Sequence, residues 1–116
     1  YSKEEKLACS LESRIRAASR CQQWGYKVGF HYDPLIYYTG REEDYRAVIE
    51  KIFASIDPAS LVWISMGCFR FMPKLKPILS RRFPESRILY QEFVRGLDGK
   101  MRYFQPIRID MYRKMA

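Results

Sequence analysis

Residues 25–34, GYKVGFHYDP, carry the alternating pattern that decides the fold. Aromatic or apolar side chains stand at every second position and would share one side of a β-strand, while His31 and Asp33 stand on the other. Pro34 cannot donate a hydrogen bond to a neighbouring strand and biases Asp33 away from helical geometry. The pattern therefore predicts a strand that ends at Asp33, with both polar residues near its carboxyl end, where α/β folds usually bind ligands.

Helical patterns flank this strand. Ser10 can cap a helix over residues 11–24, which Gly25 would end. After the strand, the acidic residues 42–44 suit the amino terminus of a second helix, and residues 57–58, Asp-Pro, would end it. The order helix, strand, helix favours an α/β fold.

A second strand is predicted at residues 61–66, LVWISM, because an apolar run of this length is typical of a strand buried on both faces of a parallel sheet. Residues 67–71, GCFRF, would then leave the sheet at the same end as Asp33 if the crossover has the usual right-handed form. The polar ends of the two strands are therefore expected to converge.

The last third of the chain predicts a helix, a short strand, a hairpin and another helix. The helix would begin near Pro77, and the short strand would cover residues 87–90. Residues 96–99, GLDG, favour a turn, with residues 101–104 as the returning hairpin arm, and Pro106 begins the terminal helix. The whole series is only part of a barrel or of an open sheet, since a closed eight-unit barrel needs about 250 residues.

Composition indicates one soluble domain over residues 1–116, with 47% hydrophobic and 29% charged residues. No apolar run approaches the roughly 20 residues that span a bilayer, and residues 1–6 lack a signal-peptide pattern. These features exclude a disordered chain and a membrane-spanning helix, and they predict a cytoplasmic protein.

The three cysteines are odd in number and match no zinc or iron–sulfur ligand spacing. We interpret Cys9, Cys21 and Cys68 as reduced core thiols, since buried cysteine behaves as a small hydrophobe. Cys68 follows a strand, so facing an active site is an alternative for it.

Positive charge and aromatic rings suggest nucleic acid as a partner. The net charge is +8 and aromatic residues make up 16% of the chain, a combination that suits phosphates and bases. Arg102 and Tyr103 stand beside the turn residues 98–99, and this pairing of charge with an aromatic ring favours contacts with phosphates and bases. For the other cations, a solvated basic face without a nucleic-acid partner is the alternative. Arg70 could instead pair with an acidic residue such as Glu92.

Two of the polar candidates have structural alternatives. His31 could be a core histidine bonded to a backbone carbonyl, and Asp33 could cap the turn that follows Pro34.

Three segments resemble a known family: residues 10–15 (SLESRI), residues 25–34 and residues 98–104 (DGKMRYF). They resemble the carboxyl-terminal half of spore photoproduct lyase-like radical S-adenosylmethionine proteins. The resemblance implies a partial (β/α) barrel with parallel strands, alternating helices and a C-terminal hairpin. It also implies a longer parent in which a four-iron four-sulfur (4Fe-4S) cluster cleaves S-adenosylmethionine, and a 5′-deoxyadenosyl radical abstracts hydrogen from a thymine dimer in DNA.

The same resemblance implies an incomplete enzyme. The family binds its cluster on a Cys-x-x-x-Cys-x-x-Cys loop near the beginning of the barrel, and this sequence has no such loop. The cluster-binding half is therefore expected to be absent, the fragment alone inactive and without bound cofactor, and none of its cysteines a hydrogen donor.

Site residues follow from the resemblance as well. The strand ending at Asp33 resembles the family strand that passes the S-adenosylmethionine pocket, so His31 and Asp33 are expected to contact the cofactor, although the family has a small apolar residue where Asp33 aligns. Arg102 and Tyr103 resemble an arginine–tyrosine pair on a hairpin beside the flipped-out lesion. With Arg70 they form the expected DNA-binding set.

Two other functions remain open: a nucleic-acid-binding module without chemistry, and a radical enzyme that acts on a peptide or small metabolite. The strand edges that a half barrel leaves exposed also predict dimerisation of the isolated chain.

Overall fold

A computed structural model describes residues 7–116 of this chain. The prediction that residues 1–6 form no signal peptide falls outside the described part. The regular elements, in chain order, are α1 Leu11–Gln23, β1 Val28–Leu35, α2 Arg41–Ser55, β2 Leu61–Cys68, β3 Arg70–Phe71, α3 Leu75–Arg82, β4 Phe93–Arg95, β5 Met101–Tyr103 and α4 Gln105–Met115. The architecture is mixed α/β, as predicted. Within residues 7–116, no helix has the length and apolar character needed to cross a membrane.

The chain divides into two compact units. The described part of the first unit contains residues 7–32 and 39–65. The second contains residues 33–38 and 66–116. Strands β1 and β2 each contribute residues to both.

Helix α1 has the predicted start and end. The Ser10 hydroxyl accepts a hydrogen bond from the Ser13 backbone N–H at 3.1 Å, which caps the amino terminus. At the other end Gly25 has a φ of +89°, and the Tyr26 N–H donates to the Cys21 carbonyl at 3.0 Å. This cap engages Tyr26, so β1 begins two residues later, and Tyr26 is exposed instead of joining the strand.

The core of the first unit lies between α1, α2 and one face of β1. Its buried centre is Ile15, Ile52 and Ile56. Three alternate strand residues pack against it: Val28, Phe30 and Tyr32. This is the face that the alternating pattern predicted. His31, on the other face, is exposed, so the interpretation of it as a core histidine is wrong.

Strand β1 continues past Asp33 to Leu35, which corrects its predicted end. The Leu35 carbonyl accepts a hydrogen bond from the Phe69 N–H at 2.8 Å. Because backbone groups alternate sides along a strand, the Pro34 nitrogen then points away from β2. The missing N–H of Pro34 therefore removes no hydrogen bond between β1 and β2. The sequence did not reveal which side of β1 is paired.

Strand β2 pairs with β1 in a parallel two-stranded sheet, but it is not buried on both faces as predicted. Four of its apolar side chains are exposed: Val62, Trp63, Ile64 and Met66. A parallel strand is covered on both faces only where helices pack on both sides of the sheet. An apolar run alone does not say whether such helices are present.

Two further boundaries differ from prediction. Helix α3 begins at Leu75, before Pro77, because the first turn of a helix has no intrahelical partner for its N–H groups and so accepts proline. Residues 87–90 form a turn in place of the predicted strand, with the Tyr90 N–H donating to the Arg87 carbonyl at 3.0 Å.

The second unit contains a three-stranded antiparallel sheet in the order β3-β5-β4, which includes the predicted hairpin. Arg70 lies opposite Arg102, and Phe93 lies opposite Tyr103. Since side chains alternate along a strand, one face of this sheet carries Arg70 and Arg102, and the other carries the aromatic rings of Phe71, Phe93 and Tyr103.

The aromatic face forms part of the second core. Phe71 and Phe93 meet edge to face with centroids 4.9 Å apart, and Phe93 and Tyr103 stack at 5.1 Å. The buried residues of this unit are Leu35, Cys68, Phe71, Leu89, Tyr103 and Met111. Cys68 is therefore a core thiol, as predicted. Cys9 is exposed, because it precedes the cap of α1 and has no helix face to pack against, and Cys21 is partly buried.

Candidate functional site

The exposed face of the three-stranded sheet brings two predicted DNA-binding residues together. Arg70 of β3 and Arg102 of β5 are directly opposite each other in the register. Side chains at such positions have Cβ atoms about 4.5–5.5 Å apart and project from the same face. We call Arg70 and Arg102 the arginine pair. Two like charges at these positions repel each other, so each needs a nearby carboxylate.

Asp33 supplies the first carboxylate. Its Oδ2 lies 3.7 Å from an Arg70 guanidinium nitrogen, and both side chains are partly exposed. A Cβ added to Gly67 would lie 2.8 Å from Asp33 Oδ1, so only glycine at that position leaves room for the carboxylate. The predicted convergence of the two strand ends is confirmed by this contact. Asp33 pairs with Arg70, which replaces both the turn-cap interpretation of Asp33 and the Glu92 partner suggested for Arg70.

Asp98 supplies the second carboxylate. It hydrogen-bonds the Arg102 guanidinium and accepts the Lys100 N–H at 3.1 Å inside the hairpin turn. The Lys100 N–H, with a smaller contribution from Arg102, lowers the pKa of Asp98. A Cβ on Gly96 would lie 2.8 Å from Arg102 Nε, so the guanidinium lies against the backbone of the turn. Arg102 is thus held along the hairpin.

Tyr103 lies on the opposite face of β5, with 1% of its surface exposed. Its ring stacks on Phe93, and its hydroxyl accepts the Tyr37 N–H at 3.1 Å. In this structure the ring faces are engaged in the core. A base could stack on Tyr103 only if the ring left this packing.

His31 lies in the first unit, on the exposed face of β1. Its Nδ1 hydrogen-bonds the Ser65 hydroxyl of β2, and its ring meets the Trp63 ring with centroids 4.4 Å apart at 62°. The sequence identified His31 but gave no signal for Ser65 or Trp63, because their proximity depends on the register of β1 against β2.

A buried hydrogen bond lies behind the end of β2. The Cys68 N–H donates to the Tyr112 hydroxyl of α4 at 3.1 Å. Burial raises the pKa of the Cys68 thiol and of the Tyr112 phenol. Both groups are therefore neutral at physiological pH, and the arrangement serves packing.

The described residues do not fit an iron–sulfur cluster. Within residues 7–116, no three histidine, cysteine, aspartate or glutamate side chains are grouped so as to hold a metal ion. Asp33 retains a partly exposed carboxylate that can accept hydrogen bonds from the hydroxyl or ammonium groups of a small cofactor.

Comparison with known proteins supports the family resemblance of residues 10–15, 25–34 and 98–104. The family model described as spore photoproduct lyase matches residues 2–106. The spore photoproduct lyase of Bacillus subtilis (strain 168) is 29% identical over 84 residues, which is 71% of this chain and 25% of that protein. The chain thus spans about a quarter of the length of the curated relative it matches. No solved structure matches it significantly. Since the family model covers nearly all of the sequence, the chain belongs to the spore photoproduct lyase family.

Proposed function

We propose that this chain is the carboxyl-terminal part, a partial (β/α) barrel, of a longer radical S-adenosylmethionine protein that repairs thymine dimers in DNA. In this proposal the arginine pair binds phosphates of the DNA backbone. Family membership supports the reaction class, and the arginine pair on an exposed sheet face is the observation that carries the role of this chain.

The chemistry of the pair favours a phosphodiester. Guanidinium groups bind phosphate oxygens through two parallel hydrogen bonds, and two neighbouring guanidiniums can bind one phosphate from both sides. The net charge of +8 adds a long-range attraction for a polyanion. Asp33 and Asp98 contact the two guanidinium groups in the absence of DNA, which restrains both arginine side chains and reduces the side-chain entropy that binding must remove.

Tyr103 has an anchoring role in this proposal. Its buried ring and its hydrogen bond to the Tyr37 backbone fix β5, and so fix Arg102 on the opposite face. The stacking role that the resemblance implies for Tyr103 stays a prediction.

Cofactor contacts are proposed separately for His31 and Asp33, which belong to different units. When bound, S-adenosylmethionine would supply the radical that abstracts hydrogen. Asp33 would accept a hydrogen bond from the cofactor through its partly exposed carboxylate, and the exposed His31 ring would offer Nε2. The 4Fe-4S cluster would be held by a part of the parent protein outside this sequence.

The first experiment measures binding of this chain to a fluorescein-labelled thymine-dimer duplex by anisotropy at several salt concentrations. Arg70→Gln and Arg102→Gln should each weaken binding and reduce the salt slope by about 1, the value expected for losing one phosphate contact. Arg46→Gln, on the exposed side of α2, is the matched control and should leave the slope unchanged. Slopes that fall equally in all three variants would show that the charge is diffuse and would refute the role of the pair.

The second experiment tests the chemistry in a longer protein that contains this chain together with a Cys-x-x-x-Cys-x-x-Cys loop. After anaerobic reconstitution, S-adenosylmethionine cleavage and dimer loss are measured together. Cleavage coupled to dimer loss supports repair, whereas cleavage without any effect on DNA favours a peptide or small metabolite. DNA binding without cleavage would leave only the nucleic-acid-binding module.

Two further expectations stay predictions: a cytoplasmic location and dimerisation of the isolated chain. Sedimentation over a range of concentrations tests the second, and a monomer throughout would contradict it.

A further inference from the structure

Helix α4 contacts the backbone of the second unit at two places through side chains that lie one turn apart. The Arg108 Nε–H donates to the Tyr103 carbonyl at 3.1 Å. The Tyr112 hydroxyl accepts the Cys68 N–H, also at 3.1 Å. Residues four positions apart lie on the same face of a helix. Met111, three positions after Arg108, is 3% exposed, so packing and two hydrogen bonds together fix α4 against this unit.

The two hydrogen bonds end on the segments that carry the arginine pair. Tyr103 directly follows Arg102 on β5, and Cys68 lies two residues before Arg70 at the end of β2. Peptide units are planar and rotate about only two bonds per residue, so backbone groups this close along the chain move together. Both contacts are made to main-chain atoms. They therefore restrain the position of each segment and, through it, the position of each arginine.

Pairing between β3 and β5 gives limited support of its own. Strand β3 has two residues, which lie opposite Met101 and Arg102 of β5. So short a ladder is marginal in water, and the like charges of the arginine pair repel each other across it. Asp33 and Asp98 each contact one arginine, so they reduce the repulsion without joining the two strands. Helix α4 supplies a connection that reaches both.

We propose that Arg108 and Tyr112 are positioning residues for the arginine pair, because they hold β5 and the residues just before β3 at a fixed separation. This role rests on the proposed function, in which both guanidinium groups bind one phosphate of the DNA backbone. Such two-sided binding is directional, so it tolerates little change in the spacing of the two groups. Neither positioning residue contacts DNA, since each is engaged with the backbone of its own unit.

Tyr112→Phe tests this role because it removes the hydroxyl and leaves the charge of the chain unchanged. Binding to the fluorescein-labelled thymine-dimer duplex is measured at several salt concentrations, with far-UV circular dichroism to check that each variant is folded. If β3 is released, Arg70 loses its phosphate and the salt slope should fall by up to about 1, although no cation has been removed. A hydroxyl that serves packing alone would leave the slope unchanged. Tyr90→Phe, 72% exposed in the same unit, is the matched control and should keep the slope.

Double variants separate positioning from direct contact. In an Arg70→Gln background, Tyr112→Phe should cause no further loss of slope, because the contact that it positions is already absent. Arg108→Gln should lower the slope only where Arg102 is present. Arg113→Gln, exposed on the same helix, removes the same charge and should leave the slope unchanged. Additive losses for Arg108→Gln and Arg102→Gln would show that Arg108 binds DNA directly and would overturn its positioning role.

Hydrogen exchange without DNA tests the α4 contacts independently of the proposed function. Followed by NMR, the backbone amides of residues 70–71 should exchange faster in Tyr112→Phe than in wild type, whereas those of residues 93–95 in the hairpin should change less. Faster exchange in a protein that binds no DNA would refute the proposed function and leave α4 as the element that holds the arginine pair together. Unchanged exchange at residues 70–71, or a Tyr112→Phe slope equal to that of Tyr90→Phe, would overturn the proposal.

Discussion

The hydrogen bond between Tyr112 and the end of β2 gives a sharp test of the second core. Replacing Tyr112 by phenylalanine keeps the ring and removes the hydroxyl that accepts the Cys68 N–H at 3.1 Å. Cys68 has 4% of its surface exposed, so water cannot easily replace the lost acceptor. The variant therefore buries a donor without its partner.

The expected cost follows from that buried donor. Leaving one buried polar group unsatisfied costs about 1–3 kcal/mol of unfolding free energy. With an unfolding entropy of about 2.1 cal/mol/K per residue, the 116 residues give about 0.24 kcal/mol/K. The melting midpoint of Tyr112→Phe should therefore fall by about 4–12 °C.

Thermal and urea unfolding followed by circular dichroism measure this change. Tyr26→Phe is the matched control, because Tyr26 is 65% exposed and its hydroxyl is expected to contribute little. A Tyr112→Phe midpoint equal to that of the control would refute the reasoning. It would mean that the Cys68 N–H finds another acceptor or that α4 does not hold this position in solution.

Three other predictions concern the first core, the hairpin and the cysteines. Ile52→Ala should lower the unfolding free energy by about 2–5 kcal/mol, because Ile52 is 3% exposed at the centre of the first core. Phe53→Ala, on the exposed side of α2, is the control and should lower the unfolding free energy clearly less. Urea unfolding of the two variants measures the difference. The folded-state pKa of Asp98 is lowered, so its stabilisation is present above the unfolded pKa and lost as the pH falls through the folded value. Asp98→Asn should therefore unfold at lower urea than wild type near neutral pH, and the two midpoints should converge in acid. Iodoacetamide should alkylate Cys9 before Cys68, since Cys68 is buried and burial raises its thiol pKa; mass spectrometry measures the two rates. Equal rates of alkylation would contradict the packing at the end of β2.

Local signals in the sequence were sufficient for much of the fold. The cap at Ser10, the glycine at Gly25 and the turn residues 96–99 each fix a conformation by short-range sterics and hydrogen bonds, and all three features are found where predicted. The alternation in β1 also identified its buried face. These elements depend only on neighbours a few residues away.

Long-range pairing accounts for what the sequence could not predict. The extension of β1 through Pro34 depends on which side of the strand faces β2, and the exposure of β2 depends on how many helices cover the sheet. The candidate sites follow the same rule. The sequence identified Asp33 and Arg70 as candidate site residues, but it did not predict their ion pair. The register of the strands determines this pair, and it also places Arg70 opposite Arg102 and the Trp63 indole over Gly29.

The three-stranded sheet of the second unit has consequences for the order of folding. Strands β4 and β5 meet across a turn of a few residues, so the hairpin can close within microseconds and with little loss of chain entropy. Strand β3 must close a loop of roughly 30 residues before it pairs with β5. We therefore expect substitutions at Asp98 or Gly99 to slow refolding, whereas substitutions at Phe71 should mainly speed unfolding. Since Arg70 lies on the late strand, the arginine pair would be among the last features of the molecule to form and the first to be lost.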